Sequence, residues 1–302
     1  MNVLHLALVS ECNDGPIDRG FVACGHEVRR IDWRAEGHAS NARARDLAQW
    51  ADLCFFQGQG TNTIEPATLD HLRANGVFVA NWTGDVRDDV EWYAAMAPHV
   101  DITLFTNRTD VETMRALGHR SDFVQVGYDE TIYKYRVNEQ RSGVVFLGNH
   151  YPGRFPETDS RMRMVDAMRS AFPKDFRMFG KNWPKSWGIQ RANPHEEVKQ
   201  YHRALVAINF DHYHRPGFAS DRLLRATACG CATVSQYYEG IEAEHPYVGA
   251  AHSIDDMIRM VGYALRNPEQ SKVVGEQAAQ WTKDHHQWTE RVREIEKWMS
   301  QK

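Results

Sequence analysis

The chain has 302 residues, 42% of them hydrophobic, and a formal net charge of −4. That length supports two domains, or one large α/β domain, with a full core. The mild acidity excludes an overall basic field of the kind that draws a protein to nucleic acid or anionic membrane, and leaves open only a local basic groove.

The opening "MNVLHLALVSECNDG" lacks a basic leader region. Its apolar run of about seven residues is too short for a signal peptide or a membrane span, so it reads as a first strand. Five cysteines, Cys12, Cys24, Cys54, Cys229 and Cys231, are odd in number and form no C-x-x-C pair, which fits reduced thiols and a cytoplasmic location. The histidines are scattered; "HYH" at 212–214 and "HH" at 285–286 have no further ligand at regular spacing, so no metal is expected.

Along the first 130 residues, short apolar runs alternate with amphipathic stretches. "VLHLALV" (3–9) leads through a loop, 10–20, to a helix opened by Asp18 or Arg19 and ended near Gly25, and "HEVRRIDW" (26–33) follows. Then come "NARARDLAQWA", "DLCFFQGQG" (52–60), "EPATLDHLRANG", "VFVANWTGD" (77–85) and "VDITLFTN" (100–107). Strand–helix–strand repetition predicts a parallel sheet with helices on both faces.

A second unit starts after the polar stretch 134–143. "VVFLGNHYPGR" (144–154) is a strand entering a glycine-containing loop, a helix runs from about Ser160 to Phe172, and "DFRMFGKNW" (175–183) is the next strand. "HEEVKQYHRA" and "LVAINFD" (205–211) repeat the pattern, and "SDRLLRATACGCATVSQYYEG" (220–240) supplies one more helix and strand. Two tandem Rossmann-like halves result, with ligands expected beyond the carboxyl ends of the strands in a cleft between them. The tail carries Trp281, Trp288, Ile295 and Trp298 near helical spacing, which predicts one long amphipathic helix docked on the body.

Helix N-termini that follow strands are ready phosphate sites, and four places offer one. In the loop 10–20, Gly15 allows close backbone approach, but no G-x-G-x-x-G is present. In "GNHYPGR", Gly148, Asn149 and Gly153 permit a tight loop, and Arg154 either reaches a pyrophosphate bidentately or is a surface arginine beside a turn. In "GKNWP", Lys181 lies near a phosphate or base, or is a solvated lysine. In 220–240, Ser220 or Asp221 caps a helix that carries Arg222 and Arg225 on one face. Two guanidiniums there suit a diphosphate; otherwise they are solvated or held by acidic neighbours. Cys229 and Cys231 read as buried packing residues behind them.

"VVFLGNHYPGR", "RMFGKNW", "SDRLLRATACGCATVSQYYEGIE", "RNPEQ" and "HHQWTERV", with "NWTGDVRDD" before them, resemble in order and spacing the CgeB-like glycosyltransferases, relatives of the group-one family. The resemblance covers about 75–298 and implies the GT-B fold: two Rossmann-like domains facing a cleft, with a last helix crossing back to the first domain. On that basis 1–137 is the acceptor domain, 138–278 the nucleotide-sugar domain and 279–302 the returning helix. It implies transfer of a sugar from a nucleoside-diphosphate sugar to a hydroxyl acceptor, without a bound cofactor or metal. Gly148, Asn149 and Arg154 would face the donor phosphates, Lys181 the base, and Ser220, Asp221 and Arg222 the diphosphate.

The sequence departs from the family where a glutamate holds the ribose hydroxyls: Arg225 stands there, and Gly217 stands at the upstream acidic position. A guanidinium only donates, so the ribose contact cannot be made in the usual way. Arg225 then holds the ribose or a phosphate as a donor, or the donor is unusual, or a noncatalytic nucleotide- or sugar-binding protein remains. Asp85 leads the candidates for a base acting on the acceptor, ahead of Glu11 and His150; Asp85 alternatively caps a helix starting near Val86. Glu11, Asn13, Gly15 and Trp82 fall on the acceptor side. The acceptor is a small molecule, a glycan, a protein or a hydroxymethylated base in viral DNA; for the last, Arg29, Arg30, Arg34, Arg43 and Arg45 supply charge for a groove.

Overall fold

The computed structural model describes residues 1–8, 11–60, 62–137, 140–187 and 193–300, with 11–14 and 194 described by their backbone alone. By its internal contacts the chain forms two units, 1–127 with 287–302, and 128–286. The polar stretch after residue 127 thus belongs with the second unit, and residues 279–286 do too.

The first unit opens with β1 (Asn2–Ala7), α1 (Glu11–Ala23), β2 (Glu27–Asp32), α2 (Trp33–Glu36) and α3 (Ala39–Asp46). It continues with β3 (Leu53–Phe56), α4 (Pro66–Ala74), β4 (Phe78–Thr83), α5 (Glu91–Met96), β5 (Ile102–Phe105), α6 (Arg108–Ala116) and β6 (Ser121–Phe123). The strands pair in parallel in the order β2-β1-β3-β4-β5-β6. Every residue of β3, β4 and β5 is buried, as a parallel sheet covered on both faces requires. Two expectations fail here. The helix after β1 begins at Glu11, so Gly15, Asp18 and Arg19 lie within it and not in a loop; Asp18 faces inward, its carboxylate 2.5 Å from Nδ1 of the buried His5. And α5 starts at Glu91, so Asp85 caps no helix.

The second unit runs β7 (Val144–Leu147), α7 (Thr158–Ala171), β8 (Phe176–Phe179), α8 (Pro194–Arg203), β9 (Val206–Asn209) and α9 (Asp221–Ala228). Then follow β10 (Ala232–Gln236), α10 (Ile241–Glu244), β11 (Gly249–Ala251), α11 (Ile254–Arg266) and α12 (Pro268–His285). This sheet is also parallel, ordered β11-β10-β9-β7-β8. Its core joins Val144, Phe146, Met164, Val165, Met168, Val206 and Ile208.

The tail is two helices and not one. The chain breaks at His286–Gln287, and α13 (Trp288–Met299) packs on α1 in the first unit. Trp288 fills a slot between Gly20 and Gly127, where an added Cβ at either glycine would overlap it, and it meets Trp82 edge to face with ring centroids 5.2 Å apart. Aromatic burial of that kind is what drives a terminal helix onto a body. Among the described residues no helix is long and apolar enough to cross a membrane.

Candidate functional site

In the second sheet the chain leaves β7 for β8 on one side and returns for β9 on the other, so the order reverses between β7 and β9. Loops leave such a reversal in opposite directions and open a crevice beyond the carboxyl ends of the two strands. The residues that line it after β7 are Gly148, Asn149 and His150, and after β9 Phe210, Asp211 and His212.

Asp211 organises the β9 side. It is buried, and one carboxylate oxygen accepts from Asn209 Nδ2 at 2.9 Å and the Ser220 amide at 3.4 Å. The other oxygen lies 3.3 Å from Arg222. Ser220 precedes α9 in extended geometry without a side-chain cap bond; its hydroxyl instead donates to Asn209 Oδ1 at 3.1 Å. The first turn of α9 is thus held at the strand tips with Arg222 beside it.

Beneath the β7 side lies Arg161, from α7, which is 0% exposed. Its Nη1 donates to the Phe210 carbonyl at 2.6 Å, and its guanidinium sits over the Phe146 ring at 4.9 Å. Gly148 makes room for it, since a Cβ there would overlap Arg161 Nη2. Burial, and then the neighbouring Arg222, push the Arg161 guanidinium well below its usual pKa, with Asp211 acting in the opposite sense. His212 is pushed down to about 2 by burial, then by Arg161, Arg222 and His150. His150 is also lowered, by burial first and Arg161 second. Both imidazoles are therefore neutral beside two guanidiniums.

Outside this layer the loops are tied to one another. Asn149 Oδ1 accepts from the Lys181 amide at 2.8 Å, and the His150 amide donates to the Lys181 carbonyl at 2.9 Å. His150 stacks on Trp183 and Trp183 on Trp187, with centroids 5.0 and 6.0 Å apart, while Trp183 Nε1 donates to the Gly148 carbonyl at 2.8 Å. The Lys181 side chain is exposed, as is Arg154, whose guanidinium rides over Phe155 at 5.2 Å.

Arg225 turns away from Arg222. It is 3.1 Å from Glu197 of α8 and 2.5 Å from Asp221, over the ring of Tyr133 at 5.2 Å. Burial opposes its charge, but Asp221 and Glu197 outweigh burial and raise its pKa. Shared face or not, the two arginines answer to different carboxylates. Behind them Cys229 and Cys231 are fully buried, and burial raises both thiols, Cys231 to about 11. They are packing residues, not nucleophiles.

In the first unit, Asp85 is exposed and lies 3.3 Å from Arg87, which also donates to Gln59. Trp82, expected on the acceptor side, is 4% exposed, donates from Nε1 to the Val124 carbonyl at 3.0 Å and stacks on Phe55; it has no free face and belongs to the core. Gly15 lies in α1 beside the Arg19 side chain. The side chains of Glu11 and Asn13 lie outside the described residues. Among the described residues, no group of three His, Cys, Asp or Glu side chains is placed to hold a metal ion.

Residues 161–297 match the family described as "Glycosyl transferase-like". A search of curated proteins finds no match. Among solved structures, a glycosyltransferase from Rickettsia africae is similar at a TM-score of 0.61 and 8% identity, over 99% of this chain and 98% of its own. The N-terminal domain of trehalose-6-phosphate phosphatase from Candida albicans reaches 0.64 at 8% identity, over 99% and 96%. The pneumococcal O-GlcNAc transferase GtfA, solved with UDP and GlcNAc, reaches 0.56 at 11% identity, over 85% of this chain and 58% of its own. The fold is GT-B.

On this GT-B scaffold, Gly148, Asn149, Ser220 and Arg222 converge at the β7–β9 crevice, with Lys181 and Arg154 on its outer loops. Arg225 is engaged elsewhere. Three participants escaped the sequence reading. Asp211 reads as the last residue of a strand and His212 as half of an "HYH" pair, and Arg161 lies in the helix expected from about Ser160 to Phe172 without any role assigned to it. Only Arg161 left a clear signal: it shares the spacing of Met164, Val165 and Met168, the buried face of α7, where a charge is out of place unless it serves a site.

Proposed function

We propose that this protein is a glycosyltransferase that moves a sugar from a nucleoside-diphosphate sugar to a hydroxyl acceptor. The observation that carries the reading is the crevice at the β7–β9 reversal, where the guanidiniums of Arg161 and Arg222 both face the carboxylate of Asp211. That surplus of guanidinium charge, together with the first turn of α9, complements a diphosphate. The family match across 161–297 contains all of these residues except the Gly148 loop, and a structure similar to this chain is that of an O-GlcNAc transferase with UDP bound.

In the reaction the bond between the sugar's anomeric carbon and the diphosphate oxygen breaks as the acceptor oxygen bonds to that carbon. The electron pair leaves with the diphosphate, and Arg222 stabilises the charge that develops there. Gly148 and Asn149 bring backbone close to the phosphates, with Arg154 and Lys181 at the outer edge. An inverting transfer sends the acceptor's proton to Asp85, whose exposed carboxylate lies 3.3 Å from Arg87; a retaining one sends it to a donor phosphate oxygen. Asp85→Asn, at an unchanged thermal midpoint, lowers kcat about a hundredfold if Asp85 is the base, and full activity removes it from that role.

A second reading, a noncatalytic nucleotide- or sugar-binding protein on the same scaffold, draws on Arg225, whose two terminal nitrogens are paired with Glu197 and Asp221. Thermal-shift measurements with UDP, GDP, dTDP, CDP and ADP, followed by hydrolysis of the matching sugar nucleotide, separate the two. Selective stabilisation with slow hydrolysis supports the transferase. Stabilisation without hydrolysis or transfer to glycan, protein, small-molecule or hydroxymethylated DNA acceptors supports binding alone. No response to any nucleotide overturns both.

A further inference from the structure

The crevice contains an unusual concentration of buried nitrogen atoms without partners. Among the described residues, Nε and Nη2 of Arg161, Nε of Arg222, Nδ1 of His150 and Nδ1 of His212 have no hydrogen-bond partner, and they have almost no exposed area. They come from four segments: α7, α9, and the loops after β7 and β9. Buried polar groups are almost always satisfied, and a charged one left bare is costly. Five in one place, all capable of donating N–H, describe the outline of something that only accepts.

We propose that Arg161, His150 and His212 form an inner ring of donors, closed by Arg222, that holds an oxyanion of the donor's diphosphate beneath Gly148. The proposal rests on the nucleotide-sugar reading and deepens it by assigning the floor of the phosphate site. Arg161 is held in place, because Nη1 donates to the Phe210 carbonyl at 2.6 Å and its guanidinium carbon sits over the Phe146 ring at 4.9 Å. Gly148 has no side chain to stand between that guanidinium and a ligand above it. Asp211, the carboxylate that meets Arg222, is already shared among Asn209, Ser220 and Arg222.

The ring also has a consequence for protons. His212 faces Arg161 from α7, Arg222 from α9 and His150 from the β7 loop, with Tyr151 and Phe155 against its ring; His150 faces Arg161 and, more weakly, Asp159. All the nearest charges except Asp211 and Asp159 are positive. An anion placed among them reverses the local potential, so at least one imidazole takes up a proton as the anion binds.

Inorganic pyrophosphate tests this on the full chain, by calorimetry in buffers of different ionisation enthalpy. The expected result is binding accompanied by proton uptake that grows from pH 8 to pH 6. Arg161→Met weakens binding about tenfold or more, and Arg161→Lys recovers most of the loss. His212→Gln, at a half-buried position, reduces the proton uptake, and this variant carries the test if Arg161→Met does not fold. Wild-type affinity in Arg161→Met, or unchanged proton uptake in His212→Gln, overturns the ring. If sugar transfer proceeds while Arg161→Met alters neither pyrophosphate affinity nor kcat, the ring fails and the transferase stands. If pyrophosphate binds through Arg161 and no sugar nucleotide is turned over, the ring stands and the transferase fails.

Discussion

Arg222 and Arg225 are three residues apart and have opposite fates, and the difference is the carboxylate each one meets. Asp211 at a strand tip holds Arg222 at the crevice, whereas Glu197 and Asp221 hold Arg225 against Tyr133. Arg222→Ala should therefore lower sugar transfer about a hundredfold or more with little change in the thermal midpoint. A second expectation concerns acid. His212 and His150 are kept neutral in the folded protein but titrate near pH 6.5 when it is unfolded. The unfolded state then binds more protons as pH falls below about 6.5, so stability is intact above that value and declines progressively below it, for His212 down to about pH 2. His212→Gln should flatten this decline; an unchanged slope of thermal midpoint against pH would show that His212 does not contribute.

At the scale of elements, α9 shows what was legible and what was not. Its start at Asp221, its end before Gly230 and its buried cysteines follow from residue type and spacing alone. The left-handed turn at Gly230, φ 82°, presents its carbonyl to Gly275 of α12, so closely that a Cβ on Gly275 would overlap that oxygen. Gly275→Ala should cost about 1–3 kcal/mol in denaturant unfolding, because backbone on both sides must move. The strands were readable as continuous apolar runs, which parallel sheets require. The two breaks that the sequence reading missed, the early start of α1 and the division between α12 and α13, depend on tertiary partners. Asp18 in α1 meets the buried His5, and Trp288 at the head of α13 meets Gly20 and Gly127; no local pattern announces either meeting. The crevice was legible by half for the same reason. Glycines and arginines in loops after strands are conspicuous, but Arg161 becomes a site residue only because α7 lays it between two strands that are distant in sequence.

At the scale of the molecule, the second unit is one uninterrupted stretch, 128–286, while the first unit is made from both ends of the chain. Trp288→Ala, which empties the slot between Gly20 and Gly127, should destabilise the first unit by about 3–5 kcal/mol. Proteolysis or hydrogen exchange resolved by unit would find the loss in 1–127 and leave 128–286 unchanged. Division of the chain in this manner also orders its birth. A ribosome delivers the amino end first and domains usually fold as they emerge, yet residues 1–127 must wait, lacking one helix of their core, until all of 128–286 has been made. The unit that begins the chain is the last to be completed, and what completes it is the helix that carries Trp288, Val292 and Ile295 into its core.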